Sequence, residues 1–224
     1  KRVLAQRNAL LKQNPKGIKQ QLFVWNVRLS ELGGFIAKER NALTEELNKQ
    51  ISGLYKDIAH SRTKVTASYH TALPIESYET ALLRQLETVL ERDLQRGFTS
   101  VGPHRDDLDI MFDGVAAAES ASRGEIRTAI LALKIFELKV LEKELEQKPL
   151  LLLDDVFSEL DGKRRHALTD HLQKFQTFIT TTDADVVSKN FSQRANIILP
   201  KWLKRPNREQ ENPHYHFAQL LRCI

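Results

Sequence analysis

The sequence predicts an α/β protein in which a mainly helical first part is followed by helices and strands arranged for a partly parallel sheet. Three observations carry that prediction. Apolar residues recur at helical spacing through most of the chain up to Arg96. Near residue 97 the pattern changes to short extended stretches broken by Gly-Pro and Asp-Gly turns. After Pro149 a run of leucines, a helical stretch and a threonine-rich strand follow one another, an order that suggests parallel pairing with a right-handed crossover.

The elements can be justified in turn. Leu32, Ile36, Leu43, Leu47, Ile51, Leu54 and Ile58 fall on one stripe of a long helix, with Gly33-Gly34 at its beginning or at a kink. Lys64 to His70 reads as a short strand. A second helix is predicted from Ile75, Tyr78, Leu82, Leu86, Val89 and Leu90, with Pro74 suited to its first turn and Gly97 to its end. Residues 1–96 therefore read as a helical arm whose apolar stripes pack on one another. In "FTSVGPHRDDLDIMF" two extended stretches flank a Gly-Pro turn, and Asp113-Gly114 marks a further tight turn, so a strand pair is expected here. Ser122 is a natural N-cap and Glu125 completes a capping box. The helix they open carries Ile126, Ala129, Ile130, Leu133, Phe136, Val140 and Leu141 on one face. Then come strand 150–153, a helix from Gly162 to Phe175, and strands 177–181 and 196–199. The predicted divisions are an arm (1–96), a second lobe (97–200) and a basic tail (201–224), in which Lys201, Lys204 and Arg205 surround Trp202.

Composition narrows the function classes. A chain of 224 residues with 41% hydrophobic and 28% charged content can bury a sizeable core in one or two domains. No apolar run approaches the ~20 residues of a membrane-spanning helix. Lys1 to Asn14 are too polar for a secretory signal, so a cytoplasmic location and no membrane partner are the expectation. The single Cys223 has no disulfide partner within the chain. Residues 1–40 hold nine Lys or Arg, among them Arg2, Arg7, Lys12, Lys16 and Lys19, against two Glu. Such a cluster suits nucleic-acid phosphates, although a solvated helix face has the same composition.

The stretch "LLLLDDVFSELDG" (150–162) is the most informative. Four leucines fit a strand covered on both faces, and such a strand delivers Asp154 and Asp155 to the carboxyl edge of the sheet, where open α/β folds bind ligands. In a nucleoside triphosphatase the first carboxylate holds Mg²⁺, commonly through water, and the second polarises the attacking water. The plainer alternative is that the pair caps the next helix. Other chemistries fit less well. His104, Asp106, Asp107 and Asp109 reproduce no EF-hand or zinc spacing, and His166 and His171 are five apart rather than four. A phosphate loop of the form Gly-x₄-Gly-Lys-[Ser/Thr] is absent from the sequence.

These motifs together resemble a known family. The Asp-Asp pair and "SELD" (158–161) look like the Walker B strand and D-loop of ABC-type ATPase heads. With "QRNALLK" (6–12), "GPHRDD" (102–107) and "SRGEIRTAILALKIFELKVLE" (122–142), they resemble the RecF family over nearly the whole chain. The resemblance implies a helical arm followed by the carboxy-terminal lobe of an ABC-type ATPase head. It also implies a signature turn at Ser122 and Gly124 that contacts the γ-phosphate of ATP held by a second copy. Arg127 retains the family's arginine after that turn, whereas Arg123, Glu125 and Ile126 depart from its glutamine-rich pattern. Ser158 and Asp161 would lie at the dimer seam, and Thr182 would occupy a switch position. In the family the phosphate loop precedes the arm, so this chain reads as a fragment that does not hydrolyse ATP by itself.

The function so implied is DNA recombination, repair and replication-gap processing. An ATP- and Mg²⁺-dependent homodimer would bind single-strand/double-strand DNA junctions and assist recombinase loading with the RecR and RecO mediators. The alternatives are a non-enzymatic DNA- or protein-binding module and the head of another SMC-like ATPase.

Overall fold

A computed structural model of the chain describes residues 1–156, 160–181, 195–198 and 219–223. The elements run α1 (Arg2–Gln13), α2 (Ile18–Asn48), α3 (Ile51–Ala59), β1 (Val65–His70), a 3₁₀ turn (Ile75–Ser77), α4 (Tyr78–Thr88), α5 (Leu90–Arg96), β2 (Asp107–Phe112), β3 (Val115–Ala116), α6 (Ala117–Ser120), α7 (Arg123–Leu145), β4 (Leu151–Asp154), α8 (Gly162–Leu172), β5 (Thr177–Thr181), β6 (Ala195–Ile198) and β7 (Gln219–Cys223). They fall into two compact units, residues 1–49 with 66–117 and residues 50–65 with 118–224.

In the first unit α2 is the spine. Its buried line is Leu22, Asn26, Leu29, Ser30, Gly33, Gly34, Ala37, Thr44 and Leu47. The predicted stripe is corrected here: Leu32, Ile36 and Leu43 are exposed, and only its continuation from Leu47 through Ile58 is buried. Gly33 and Gly34 do not start the helix; they lie well inside it, since α2 runs from Ile18 to Asn48. The reason is close packing. A Cβ on Gly33 would stand 2.7 Å from Leu82 Cδ2, and one on Gly34 would stand 3.1 Å from Glu79 Cβ and 3.4 Å from its backbone nitrogen. Small residues thus let α4 approach α2, and Leu29, Ala37, Tyr78, Leu82 and Leu86 form the core between them. Gly33→Ala should gain up to about 1 kcal/mol of helix propensity yet lose about 1–3 kcal/mol through overpacking. A net fall in the urea midpoint is expected, and a rise would refute the close-packing account.

Polar groups fix the rest of this unit. Asn48 Nδ2 donates to Ala67 O at 2.8 Å and its Oδ1 accepts from Ala67 N at 2.7 Å, so the end of α2 completes hydrogen bonds for β1. Asp106 Oδ2 accepts from the Tyr69 and Tyr78 hydroxyls, the latter at 2.8 Å. Burial, and then that carboxylate, push the Tyr69 phenol up to about 12. The stretch from Phe98 to Asp106 contains no strand, contrary to the expected extended pair around Gly-Pro; His104 Nε2 instead bonds Thr99 O at 3.0 Å within a turn. β2 and β3 do pair antiparallel, with Phe112 opposite Val115 across Asp113-Gly114, both of which have positive φ.

The second unit holds a four-stranded sheet of order β4-β5-β7-β6, with α3 packed on α7 and α8. β4 and β5 run parallel, in register from Leu151 opposite Thr177 to Asp154 opposite Thr180, with α8 as the crossover. Two expectations change. β7, from the segment read as a tail, lies between β5 and β6 and runs antiparallel to both. Among the described residues β4 stands at the edge of the sheet, and its leucine run is covered on one face only: Leu153 is 8% exposed, but Leu150 and Leu152 are 52% and 69% exposed. In α7 the buried face is Thr128, Ala129, Leu131, Ala132, Ile135, Phe136 and Leu138, which leaves Ile126, Ile130 and Leu141 of the predicted stripe outside.

Candidate functional site

The second unit carries two groups of candidate residues. The first begins where β4 ends. Asp154 is exposed and accepts a hydrogen bond from the Thr180 hydroxyl at the matching end of β5. The chain turns at once: Asp155 has φ +48°, a left-handed conformation that aspartate tolerates better than most side chains. Its N–H reaches Thr180 O at 3.1 Å and Thr180 Oγ1 at 3.0 Å. A threonine one position before the end of β5 thus ties both aspartates to the carboxyl edge. Thr180 was not singled out from the sequence, where "TFITTT" reads simply as a β-branched strand.

The second group surrounds the start of α7. Ser122 caps the helix with extended backbone, its Oγ accepting from Glu125 N at 3.3 Å. Glu125 Oε2 accepts from both Ser122 N and Ser122 Oγ at 2.8 Å, which completes the expected capping box. These two bonds, with the charge of Arg164 beside them, hold the Glu125 carboxyl below its ordinary value of 4.5, while burial opposes them. A carboxylate with a lowered folded pKa contributes stability that is complete above the unfolded value and lost as pH falls through the folded one. The α7 start is therefore expected to loosen as pH falls below about 4. Amide exchange at Gly124 to Ile126 should accelerate there, and Glu125→Gln should remove the pH dependence.

Gly124 faces α8. A Cβ at this position would lie 3.1 Å from Arg164 Nη1, and Arg164 Nε is 3.6 Å from Asp161 Oδ2. Asp161, the last residue of the "SELD" stretch, is the N-cap of α8 and accepts from Arg164 N at 2.9 Å. Gly124 and Asp161 are thereby brought together around an arginine that sequence reasoning passed over, with the Ser122 cap two residues before Gly124. Its signal was the Asp-x-x-Arg spacing on the first turn of a helix, which places the side chain beside the cap. Arg127 is exposed on α7. Ser158 and Thr182 lie outside the described residues.

The basic candidates lie in the other unit, and one of them needs correction. Arg7 is fully buried, bonded to Asn26 Oδ1 at 2.8 Å, Asp93 Oδ2 at 2.9 Å and Thr99 Oγ1 at 2.7 Å. A guanidinium enclosed in this way cannot meet a phosphate in solution, so Arg7 leaves the DNA-binding set. Arg2, Lys12, Lys16 and Lys19 are exposed around α1 and the turn into α2. Asp106 is engaged with the tyrosines and Asp109 pairs with His70 at 3.2 Å. Among the described residues no group of three or more His, Cys, Asp or Glu is arranged to hold a metal. His166 pairs instead with Asp170 at 3.6 Å, and burial lowers the pKa of His171. No described helix is long and apolar enough to cross a membrane.

The helices, the parallel β4–α8–β5 crossover and the capped turn facing α8 define an α/β fragment of ABC-type ATPase-head fold, and solved structures match it. Structures of the recombination mediator protein RecF of the RecFOR pathway, as RecF-ATP and RecF-ATPγS, superpose with a TM-score of 0.68 at 35% and 36% identity, covering 82% of this chain and 51% and 52% of theirs. The DNA replication and repair protein RecF of Ruminiclostridium cellulolyticum is 37% identical over 204 residues, 87% of this chain and 55% of the relative. That of Agathobacter rectalis is 38% identical over 192 residues, 84% and 52% respectively. No protein-family model matches. This chain is RecF-like, a homologue of RecF proteins over most of its own length, and it spans about half the length of the curated relatives it matches.

Proposed function

We propose that the chain is the helical arm and the carboxy-terminal ATPase lobe of a RecF-type DNA repair and replication protein, with β7 part of the lobe's sheet rather than of a separate tail. ATP is held by a phosphate loop in a portion beyond this sequence, and two copies join through the Ser122-Gly124 turn of one and the nucleotide of the other. The dimer binds DNA at single-strand/double-strand junctions, with Arg2, Lys12, Lys16 and Lys19 as phosphate contacts, and works with RecR and RecO in loading recombinase. A cytoplasmic setting belongs to the same reading.

The observation that carries this proposal is the meeting of the capped Ser122-Gly124 turn with the Asp161 cap of α8, on the unit that also bears Asp154 and Asp155 at a strand's carboxyl end. A helix start offers N–H donors and partial positive charge to an incoming phosphate. Asp154, exposed and steadied by Thr180, suits a hard cation reached directly or through water. Magnesium prefers one or two carboxylates completed by phosphate oxygens and water, which fits a single acidic pair; once bound it shields phosphate charge. Asp155 orients the attacking water, and weak, DNA-dependent ATP turnover follows when the phosphate-loop portion is present.

The test is sedimentation of the protein carrying that portion. Wild type should dimerise with ATP and remain monomeric without it, whereas Ser122→Ala should stay monomeric at micromolar concentration. Equal dimerisation of both would sink the signature reading. One observation favours a second reading, a nucleotide-independent binding module: Glu125 engages both the N–H and the hydroxyl of Ser122. DNA binding by this chain alone, unchanged by ATP, would support it.

A further inference from the structure

We infer that Arg164 is a positioning residue for the signature turn, linking it to the start of the D-loop helix through Gly124. The inference rests on the ATP-gated reading above.

A glycine at position 124 invites the explanation that bare backbone lets phosphate come close. The geometry adds another. The space a side chain would occupy is taken by a cation: Arg164 Nη1 lies 3.1 Å, and Cζ 4.0 Å, from where a Cβ would be. Three further features fix that guanidinium. Its Nε is 3.6 Å from Asp161 Oδ2, and its side chain is only 24% exposed. Its backbone N–H is bound by Asp161 Oδ1 at 2.9 Å, so both ends of the residue answer to one cap. Its charge also acts on Glu125, the carboxylate that closes the capping box, and on the buried Tyr55 of α3. Arg164 therefore answers to both carboxylates that organise the two helix starts, Asp161 of α8 by contact and Glu125 of α7 by charge.

This arrangement gives the arginine a task that lysine cannot fully perform. A planar fork fills the space beside Gly124 while its Nε faces Asp161, whereas an ammonium is a point donor. Its charge offsets Glu125 at a turn expected to receive a phosphate, where an uncompensated carboxylate would repel it. Gly124→Ala displaces the far end of a long side chain by a few tenths of an ångström. The fold tolerates that shift, since alanine is the better helix former and only the guanidinium has to move.

The experiment uses the protein with its phosphate-loop portion and compares wild type, Arg164→Ala, Arg164→Lys and Ser122→Ala. The readouts are ATP-dependent dimerisation by sedimentation, monomer affinity for a fluorescent ATP analogue, and thermal midpoint. Arg164→Ala should weaken ATP-dependent dimerisation about 10–100-fold, the worth of a lost charge-assisted contact, with monomer nucleotide affinity and midpoint essentially unchanged. Arg164→Lys should recover part of the loss. Wild-type dimerisation by Arg164→Ala beside a monomeric Ser122→Ala overturns the role of Arg164 and leaves the signature site standing. Wild-type behaviour of both variants overturns the site and the inference together. Parallel loss of dimerisation, nucleotide affinity and thermal midpoint in Arg164→Ala marks the arginine as merely structural and also overturns the inference.

Discussion

Arg7→Ala is expected to destabilise the first unit by about 3–5 kcal/mol, because it leaves a buried carboxylate without its cation. Asp93 has no exposed surface, and its other oxygen already accepts from Ser100 N at 3.1 Å and Ser100 Oγ at 2.6 Å. Burial lowers the Arg7 pKa while the hydrogen bond and charge of Asp93 oppose the shift, so each partner depends on the other. The contacts join α1, α2, α5 and the loop after Gly97, segments up to 92 residues apart in sequence. Urea unfolding should show the loss as a lower midpoint. Arg7→Met with Asp93→Leu should be less destabilised than Arg7→Ala, since two apolar groups of similar size leave no orphaned charge. A single variant within about 1 kcal/mol of wild type would contradict the assignment. DNA affinity provides a second check: the unfolding defect should appear without a change in salt slope, whereas neutralising Lys12, Lys16 and Lys19 should flatten that slope.

Asp155→Asn should reduce ATP turnover about 10²–10⁴-fold in the protein that carries the phosphate-loop portion, the range for removing a general base. The substitution suits this backbone because asparagine accepts left-handed φ at least as readily as aspartate and the two hydrogen bonds to Thr180 come from the main chain. Folding should be nearly unaffected, and ATP-driven dimerisation should persist or lengthen, since hydrolysis ends it. Steady-state phosphate release measures the first effect and sedimentation the second. Turnover at the wild-type rate would remove Asp155 from catalysis. Turnover by the 224-residue chain alone, abolished by the same substitution, would overturn the need for another portion.

Local chemistry explains what the sequence made legible. The capping box at Ser122 and Glu125, the Asp113-Gly114 turn and the left-handed Gly97 closing α5 are decided by residues within a few positions of one another, and the structure has them as read. The parallel β4–α8–β5 unit was legible for the same reason. Sequence spacing misled where tertiary approach decided. On α2 the contact with α4 is made by Gly33, Gly34 and Ala37 beside Leu29, so small residues share it with a hydrophobic one and a search for large apolar residues alone picks out the wrong face. The lone cations were equally opaque. Charge counting treats Arg7 like Arg2, yet its burial depends on Asp93 far along the chain. At the candidate site the aspartates and the serine–glycine turn were visible as motifs. Thr180 and Arg164 were not, because each acts on a partner brought near by folding.

The open flank of β4 has a practical corollary. A strand with one hydrogen-bonding neighbour among the described residues, exposing Leu150 and Leu152, is a template for adhesion between molecules. Self-association of the chain handled by itself would thus proceed without nucleotide and would grow stronger in kosmotropic salt, as greasy contacts do. Such clustering has a different origin from a triphosphate-driven pair, and its response to ATP and to salt tells the two apart.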